Sequence, residues 1–160
     1  MLEKIIRKYY DEIFRYCYHH VESRTVAEDL CQDTFMSLIE CYGEYRHEGK
    51  TKNYLYTIAK HKCQDYYRKK KPLFMAEVPE PEEREQMEEK VVMRQMVRAL
   101  PEEFREAVIL RYFQNLRYAE IAGILEISLS VAKYRVKKGV ELLAVMEGGS
   151  HGTRRKKDQA

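Results

Sequence analysis

The chain is poor in the residues that break helices: four prolines and seven glycines among 160 residues. It also lacks any persuasive run of alternating apolar and polar residues, the signature of a half-buried strand, so an all-α fold is expected. No apolar stretch approaches the roughly 20 residues of a membrane helix, and the N-terminus lacks the apolar core of a signal peptide. Direct membrane insertion is therefore not expected, and a cytoplasmic setting is. The four cysteines, Cys17, Cys31, Cys41 and Cys63, form neither a CxxC pair nor a compact disulfide framework, which predicts reduced thiols. Cys17 with His20 and His61 with Cys63 raise the question of a metal, but no four-ligand pattern completes either pair. No nucleophile–base pairing and no phosphate loop is present. An enzyme, a cofactor and a small-molecule substrate are all disfavoured.

What is present is charge, unevenly spread. The net charge is only +3. Residues 1–75 carry 14 Lys and Arg against 11 Asp and Glu, residues 76–97 carry 3 against 7, residues 98–147 carry 8 against 7, and residues 148–160 carry 4 against 1. Two basic lobes flanking an acidic connector, with a basic tail beyond, suit an extended polyanion as partner.

The stretch from Tyr118 to Val145 organises the rest. Ala119, Ile121, Ala122, Ile124 and Leu125 give a short helix an apolar side. After the break at Glu126-Ile127-Ser128, a second helix aligns Ala132, Val136, Val140 and Leu143. Ser128 is a natural N-cap. Glu126 sits where such turns usually carry glycine, and a left-handed conformation there would cost about 1 kcal/mol. Two short helices with a tight turn make a helix-turn-helix, whose second helix can enter a major groove. On that helix Ser130, Lys133, Tyr134, Lys137 and Lys138 share one face and Arg135 flanks it. Such a face is either a solvated surface or a phosphate- and base-contacting one.

Upstream, Ile5, Ile6, Tyr9, Tyr10, Ile13, Phe14, Cys17 and Tyr18 recur at helical spacing from Leu2 to about Val21. A second helix is expected to begin with Thr25 as cap and Glu28 completing a capping box. Leu30, Thr34, Leu38 and Cys41 line its apolar side, widened by Phe35, Met36 and Ile39. Glu28, Asp29, Gln32 and Asp33 make the opposite side acidic. Residues 43–53 are a polar break. From Tyr54 to Lys71 a third helix buries Leu55, Ile58, Ala59, the stem of Lys62, Cys63 and Tyr66, and projects Tyr54, Tyr56, Lys60, His61, Tyr67 and Arg68 around the rest. Aromatics interleaved with cations suit unpaired bases, although tyrosines at helical spacing also serve as ordinary packing. Pro72 ends this helix. Residues 73–84 read as an acidic, proline-interrupted linker, and helicity resumes near Glu85. Pro101 with Glu102 and Glu103 opens a helix running to about Phe113. Gly148-Gly149-Ser150 is expected to end the last helix, leaving a disordered basic tail at residues 148–160.

Taken together, AEDLCQDTFMSLIECYGEYR, YLYTIAKHKCQDYYRKKKP, ALPEEFREAVILRYFQNLRYAEIAGIL and SLSVAKYRVKKGVELL, in that order, resemble bacterial ECF sigma factors, the small two-domain class of the primary sigma family. The resemblance covers about residues 5–72 and 85–145. It implies an N-terminal domain, residues 1–72, that binds polymerase and melts DNA, the linker 73–84, and a C-terminal domain, residues 85–147.

It also implies roles. Asp29, Gln32 and Asp33 would dock on core RNA polymerase. The loop from Arg46 through Lys50 and Lys52 to Asn53 would capture a flipped base of the minus-ten element. Tyr54, Tyr56, Lys60, His61 and Lys62 would help open the promoter DNA. Ser130, Lys133, Tyr134, Lys137 and Lys138 would read the minus-thirty-five element, with Arg135 on a phosphate. An anti-sigma factor would be an inhibitory partner. The competing expectation is a stand-alone dimeric helix-turn-helix regulator.

Overall fold

The computed structural model describes residues 2–21, 23–42, 50–70 and 88–151. The expected linker at 73–84, the loop residue Arg46 and the tail beyond His151 lie outside these. All the regular structure in the described residues is helical: α1 Leu2–Val21, α2 Arg24–Cys41, α3 Thr51–Lys70, α4 Glu88–Arg98, α5 Glu102–Val108, α6 Tyr118–Leu125 and α7 Leu129–His151. A π-helical turn, Ile109–Phe113, extends α5.

In the first lobe α1 packs on α2 and α3. Ile13, Tyr16 and Cys17 meet Ala27, Leu30, Cys31, Phe35 and Leu38 of α2 and Leu55, Ala59 and Cys63 of α3, all buried. Each large apolar side chain so removed from water contributes about 1.5–3 kcal/mol. Tyr10 stacks on Phe35 with ring centroids 5.7 Å apart. The buried hydroxyl of Thr34 donates to the Leu30 carbonyl at 2.8 Å, so its burial leaves no unpaired donor. The cap of α2 is Ser23 rather than the expected Thr25: the Ser23 hydroxyl accepts from the Val26 N–H at 3.3 Å. Both residues are good caps, and the one that adopts extended backbone takes the role.

In the second lobe α7 packs on α5 and α6. Ala107, Leu110, Leu116, Ile121, Ile124, Ala132 and Val136 fill its centre. Val140, expected on the buried stripe, is 39% exposed, and Gly139 faces inward instead. A Cβ on Gly139 would sit 2.5 Å from Val108 Cγ2 and 3.3 Å from the Phe104 carbonyl oxygen, so α5 and α7 approach too closely for any side chain there. The turn between α6 and α7 follows the expectation: Glu126 is left-handed at φ 59°, and the Ser128 hydroxyl accepts from Val131 N–H at 3.2 Å. Helix α7 continues through Gly148 and Gly149 to His151, past the expected break.

The π turn was not anticipated. Its signature is the Gln114 N–H donating to the Ile109 carbonyl five residues back, at 3.0 Å. The chain then turns at Asn115, left-handed at φ 57°, a conformation asparagine tolerates. Arg111 donates to the Leu116 carbonyl at 2.9 Å and lies over the Tyr118 ring, which together tie this turn to the start of α6.

Candidate nucleic-acid and polymerase interfaces

Three helix faces carry the predicted site residues, and the fold treats them differently. On α2, Asp29, Gln32 and Asp33 are exposed and lie within one turn of each other. Met36, 53% exposed, and Ile39, 40% exposed, sit on this same face rather than in the core assigned to them. An acidic patch bordered by exposed apolar side chains therefore runs along α2. The two apolar positions were missed because they also fit the helical period of the buried stripe.

The α3 face begins earlier than expected. The helix opens at Thr51, so Lys52 and Asn53 stand on its first turn rather than in a loop, while Lys50 precedes it and is exposed. Lys52 is ion-paired with Glu12 of α1 at 3.7 Å and with Glu120 of α6 at 3.4 Å. Tyr56, expected to project toward nucleic acid, is fully buried. Its hydroxyl donates to Glu12 Oε2 at 2.6 Å and accepts from the Gln114 amide at 2.8 Å. Burial and the bond to Glu12 raise the Tyr56 hydroxyl well above its ordinary pKa, so it stays a neutral donor. Lys60 donates to the Ile124 carbonyl at 3.5 Å. Tyr54 packs against the core, Lys62 is half-buried and His61 is exposed.

A neighbouring seam joins the lobes beside α3. Tyr16 donates to Glu106 Oε1 at 2.9 Å. His20 Nε2 lies 3.1 Å from Glu106 Oε2, but off the alignment of a hydrogen bond, so the two are juxtaposed rather than bonded. Burial lowers the pKa of His20, against the opposing pull of Glu106, and the imidazole is neutral at neutral pH. Burial likewise brings His19 down to about 4, helped by Arg94; its ring lies 4.5 Å from that of Phe113. Among the described residues no cluster of three His, Cys, Asp or Glu side chains could hold a metal. No described helix is long and apolar enough to cross a membrane.

The α7 face is open. Ser130, Lys133, Tyr134 and Lys137 are exposed, Tyr134 by 57%, and Lys138 and Arg135 are half-buried. Arg135 faces Glu103 at 3.7 Å, and Tyr134 makes an edge contact with Phe104. Lys133 lies 6.0 Å from the Tyr118 ring centroid. Val131, exposed and one turn before Tyr134, belongs to this face too; an isolated valine carries no sequence signal that separates it from packing.

Known proteins share this architecture. Residues 5–72 match the family description "Sigma-70 region 2" and residues 90–143 match "Sigma-70, region 4". The chain is 33% identical over 141 residues to RNA polymerase sigma factor YlaC of Bacillus subtilis (strain 168), which covers 81% of this chain and 82% of that relative. It is 31% identical over 158 residues to RNA polymerase sigma factor SigZ of the same organism, covering 94% and 89%. Two solved structures share the fold. One is CnrH in complex with the cytosolic domain of CnrY, at TM-score 0.77 and 16% identity, covering 92% of this chain and 88% of that one. The other is the sigma factor RpoE in complex with the anti-sigma factor NepR from Bartonella quintana, at 0.73 and 20%, covering 88% and 92%. Matches to both sigma-70 regions, together with relatives spanning nearly the whole chain, make this protein an ECF sigma factor of the sigma-70 family.

Proposed function

We propose that the chain acts in the cytoplasm as a transcription initiation factor that binds core RNA polymerase, directs it to promoters with two elements and helps open the proximal one. The observation that carries this reading is the paired match to sigma-70 regions 2 and 4 in one chain. In residue terms, the N-terminal domain is residues 1–72, the linker 73–84 and the C-terminal domain 85–147. Asp29, Gln32 and Asp33, with Met36 and Ile39 beside them, form the polymerase-docking face. An acidic rim around exposed apolar side chains fits a basic, amphipathic partner surface. Lys50, Lys52, Asn53, Tyr54, Lys60, His61 and Lys62 serve the separated strands of the minus-ten element, by stacking and phosphate contact, while Tyr56, buried in the core, supports their helix from within.

Ser130, Lys133, Tyr134, Lys137 and Lys138 read the minus-thirty-five element, with Arg135 on a phosphate. Val131 and Tyr134 add apolar surface suited to thymine methyl groups. An anti-sigma factor is the inhibitory partner, as in the complex of RpoE with NepR. The chain itself performs no covalent step. The stand-alone regulator is not favoured, because that reading leaves the region 2 match without a role.

The test is binding to purified core polymerase by fluorescence anisotropy, beside an Asp29→Arg/Gln32→Ala/Asp33→Arg variant. The parent binds and the variant weakens by about tenfold or more, since reversed charges at a complementary interface repel. Equal binding by both would remove the docking assignment. No binding by the parent, together with retention of duplex DNA only as a dimer, would restore the regulator reading.

A further inference from the structure

We propose that the cleft between the C-terminal end of α1, α3 and the corner from α4 to α5 binds a phosphate group, free or as the head of a small hydroxylated phosphomonoester. The site stands apart from the faces assigned to polymerase and DNA. Its first sign is a pair of imidazole nitrogens. Among the described residues, His19 Nδ1 and His20 Nε2 are buried without a hydrogen-bond partner, and the whole His20 residue is only 6% exposed. Buried polar atoms are nearly always paired, so two on adjacent residues call for a partner from outside the chain. Both histidines line one cavity of about 160 Å³, together with Tyr67, Arg98 and Arg105. That is several times the roughly 30 Å³ of one water.

The lining is cationic. Arg98 and Arg105 bring two guanidiniums, and no described carboxylate lines this cavity. Protein contacts fix both guanidiniums without exhausting them. Arg105 Nη1 donates to the Arg98 and Leu100 carbonyls at 3.1 and 3.3 Å. Arg98 donates to the Tyr67 hydroxyl, which itself donates to the His20 carbonyl, and the Arg98 guanidinium lies 5.5 Å from the Tyr67 ring centroid. An arginine has five N–H donors, so each keeps donors for a ligand. The planar guanidinium matches pairs of phosphate oxygens better than any other side chain. Because the lining comes from α1, α3, α4 and α5, it suits a tetrahedral group with oxygens on all sides better than a planar carboxylate.

A second hollow of about 380 Å³ adjoins the first and shares His20, Tyr67 and Arg105 with it. Gln64, Arg68, Glu102 and Glu106 complete its wall. The Gln64 amide donates to Glu102 at 3.1 Å, and the Tyr16 hydroxyl donates to Glu106. Mixed donors and acceptors suit the hydroxyls of an uncharged body, and the two carboxylates repel a second anion from this end.

The histidines give the site a pH signature. Burial holds both imidazoles neutral. Arg94 and Arg15 add to that at His19; at His20, Arg105 and Arg98 add to it against Glu106 and Glu102. Tyr16 of α1 and Cys63, Tyr67 and Arg68 of α3 also face this region. An anion placed against the two nitrogens favours the charged imidazoles, so binding takes up protons and tightens as the pH falls.

The test is isothermal titration calorimetry of the full chain, at constant ionic strength, with inorganic phosphate, ribose 5-phosphate, sulfate and acetate. Phosphate should bind saturably and acetate about tenfold or more weakly. Ribose 5-phosphate binding more tightly than phosphate would identify a phosphomonoester as the source, and weaker binding would identify the free ion. Sulfate has the same shape and does not itself titrate near neutrality, so its affinity should rise about threefold or more between pH 7.5 and pH 6. Arg98→Gln should weaken phosphate about tenfold or more, whereas Arg94→Gln, which removes an equal charge from α4 outside the lining, should cost about threefold at most. Circular dichroism checks folding; if Arg98→Gln fails to fold, Arg98→Lys, which keeps the charge but loses the paired donors, replaces it. No saturable binding of either phosphate compound would overturn the site. So would acetate binding as tightly as phosphate, equal losses in the Arg98 and Arg94 variants, or a sulfate affinity indifferent to pH.

Discussion

Helices α3 and α7 carry similar chemistry, lysines and tyrosines on one face, yet the fold buries much of one and displays the other. On α7 the cations Lys133 and Lys137 meet solvent and Tyr134 is exposed. On α3 the equivalent groups are held by protein: Lys52 by two glutamates, Tyr56 by Glu12 and Gln114, Lys60 by a carbonyl. The difference lies in the neighbours. Helix α7 packs by a narrow stripe, Ala132, Val136 and Gly139, and leaves its outer side free. Helix α3 packs on α1 and α2 and is met by α6 as well, so little of its surface is left free. Composition names the kind of ligand a face suits; topology decides when the face is available.

Three perturbations sharpen that contrast. The largest is Gly139→Val, which should dismantle the exposed face by forcing α5 and α7 apart, at a cost of about 2–3 kcal/mol. Urea unfolding should show a destabilised second lobe and lost duplex binding; an unchanged midpoint would mean that α7 is not held at this point.

Next is acidification, which acts on the covered side. His20 is buried and His19 half-buried on the seam between α1 and the second lobe, and both imidazoles are neutral at neutral pH. The groups facing them are Arg15 on α1, Arg94 and Arg98 on α4, and Glu102, Arg105 and Glu106 on α5. Because the packed state depresses both imidazole pKa values below 6.5, the stability they confer is complete above that value. It is lost as the pH falls through 6.5, reaching about 4 for His19. Between pH 7.5 and pH 5 the loss from His19 alone should be about 2 kcal/mol, and His20 acts in the same direction. Thermal melting at the two pH values checks it, and His19→Phe should flatten the profile.

The smallest is Glu126→Gly, which relieves a left-handed residue at φ 59°. It should stabilise the second lobe by about 0.5–1 kcal/mol, read as a raised urea midpoint, since it relaxes only the turn that presents α7.

Most helices were legible because an apolar stripe at 3.6-residue spacing is a direct record of one buried side. The helix-turn-helix was legible down to its Ser128 cap and its strained Glu126, since caps and left-handed turns are local chemistry. The larger misses had non-local causes. Tyr56 looked like an outward aromatic because one helix's periodicity cannot show a second lobe arriving on its other side. Met36 and Ile39 fit the stripe of α2, but the stripe is wider than the surface that α1 and α3 cover. Ser23 displaced Thr25, and Thr51 displaced Tyr54 as the start of α3, because boundary residues compete within a turn and local preference cannot separate them. The passage of α7 through Gly148 and Gly149 shows the converse: two glycines lower helix propensity by only about 1 kcal/mol each relative to alanine, which an established helix can absorb.

The π turn at Ile109–Phe113 has a mechanical consequence. Each residue of a regular helix rotates the chain by about 100°, so one residue more or fewer there works as a rotational offset for everything downstream. With the extra residue, Phe113 meets His19 and Gln114 reaches Glu12 and Tyr56. Remove it, and the same side chains would point elsewhere, and α7 would lose its register on α5. The phase between the two halves of this protein is thus stored in the length of a single turn, on which the packing of the second half also depends.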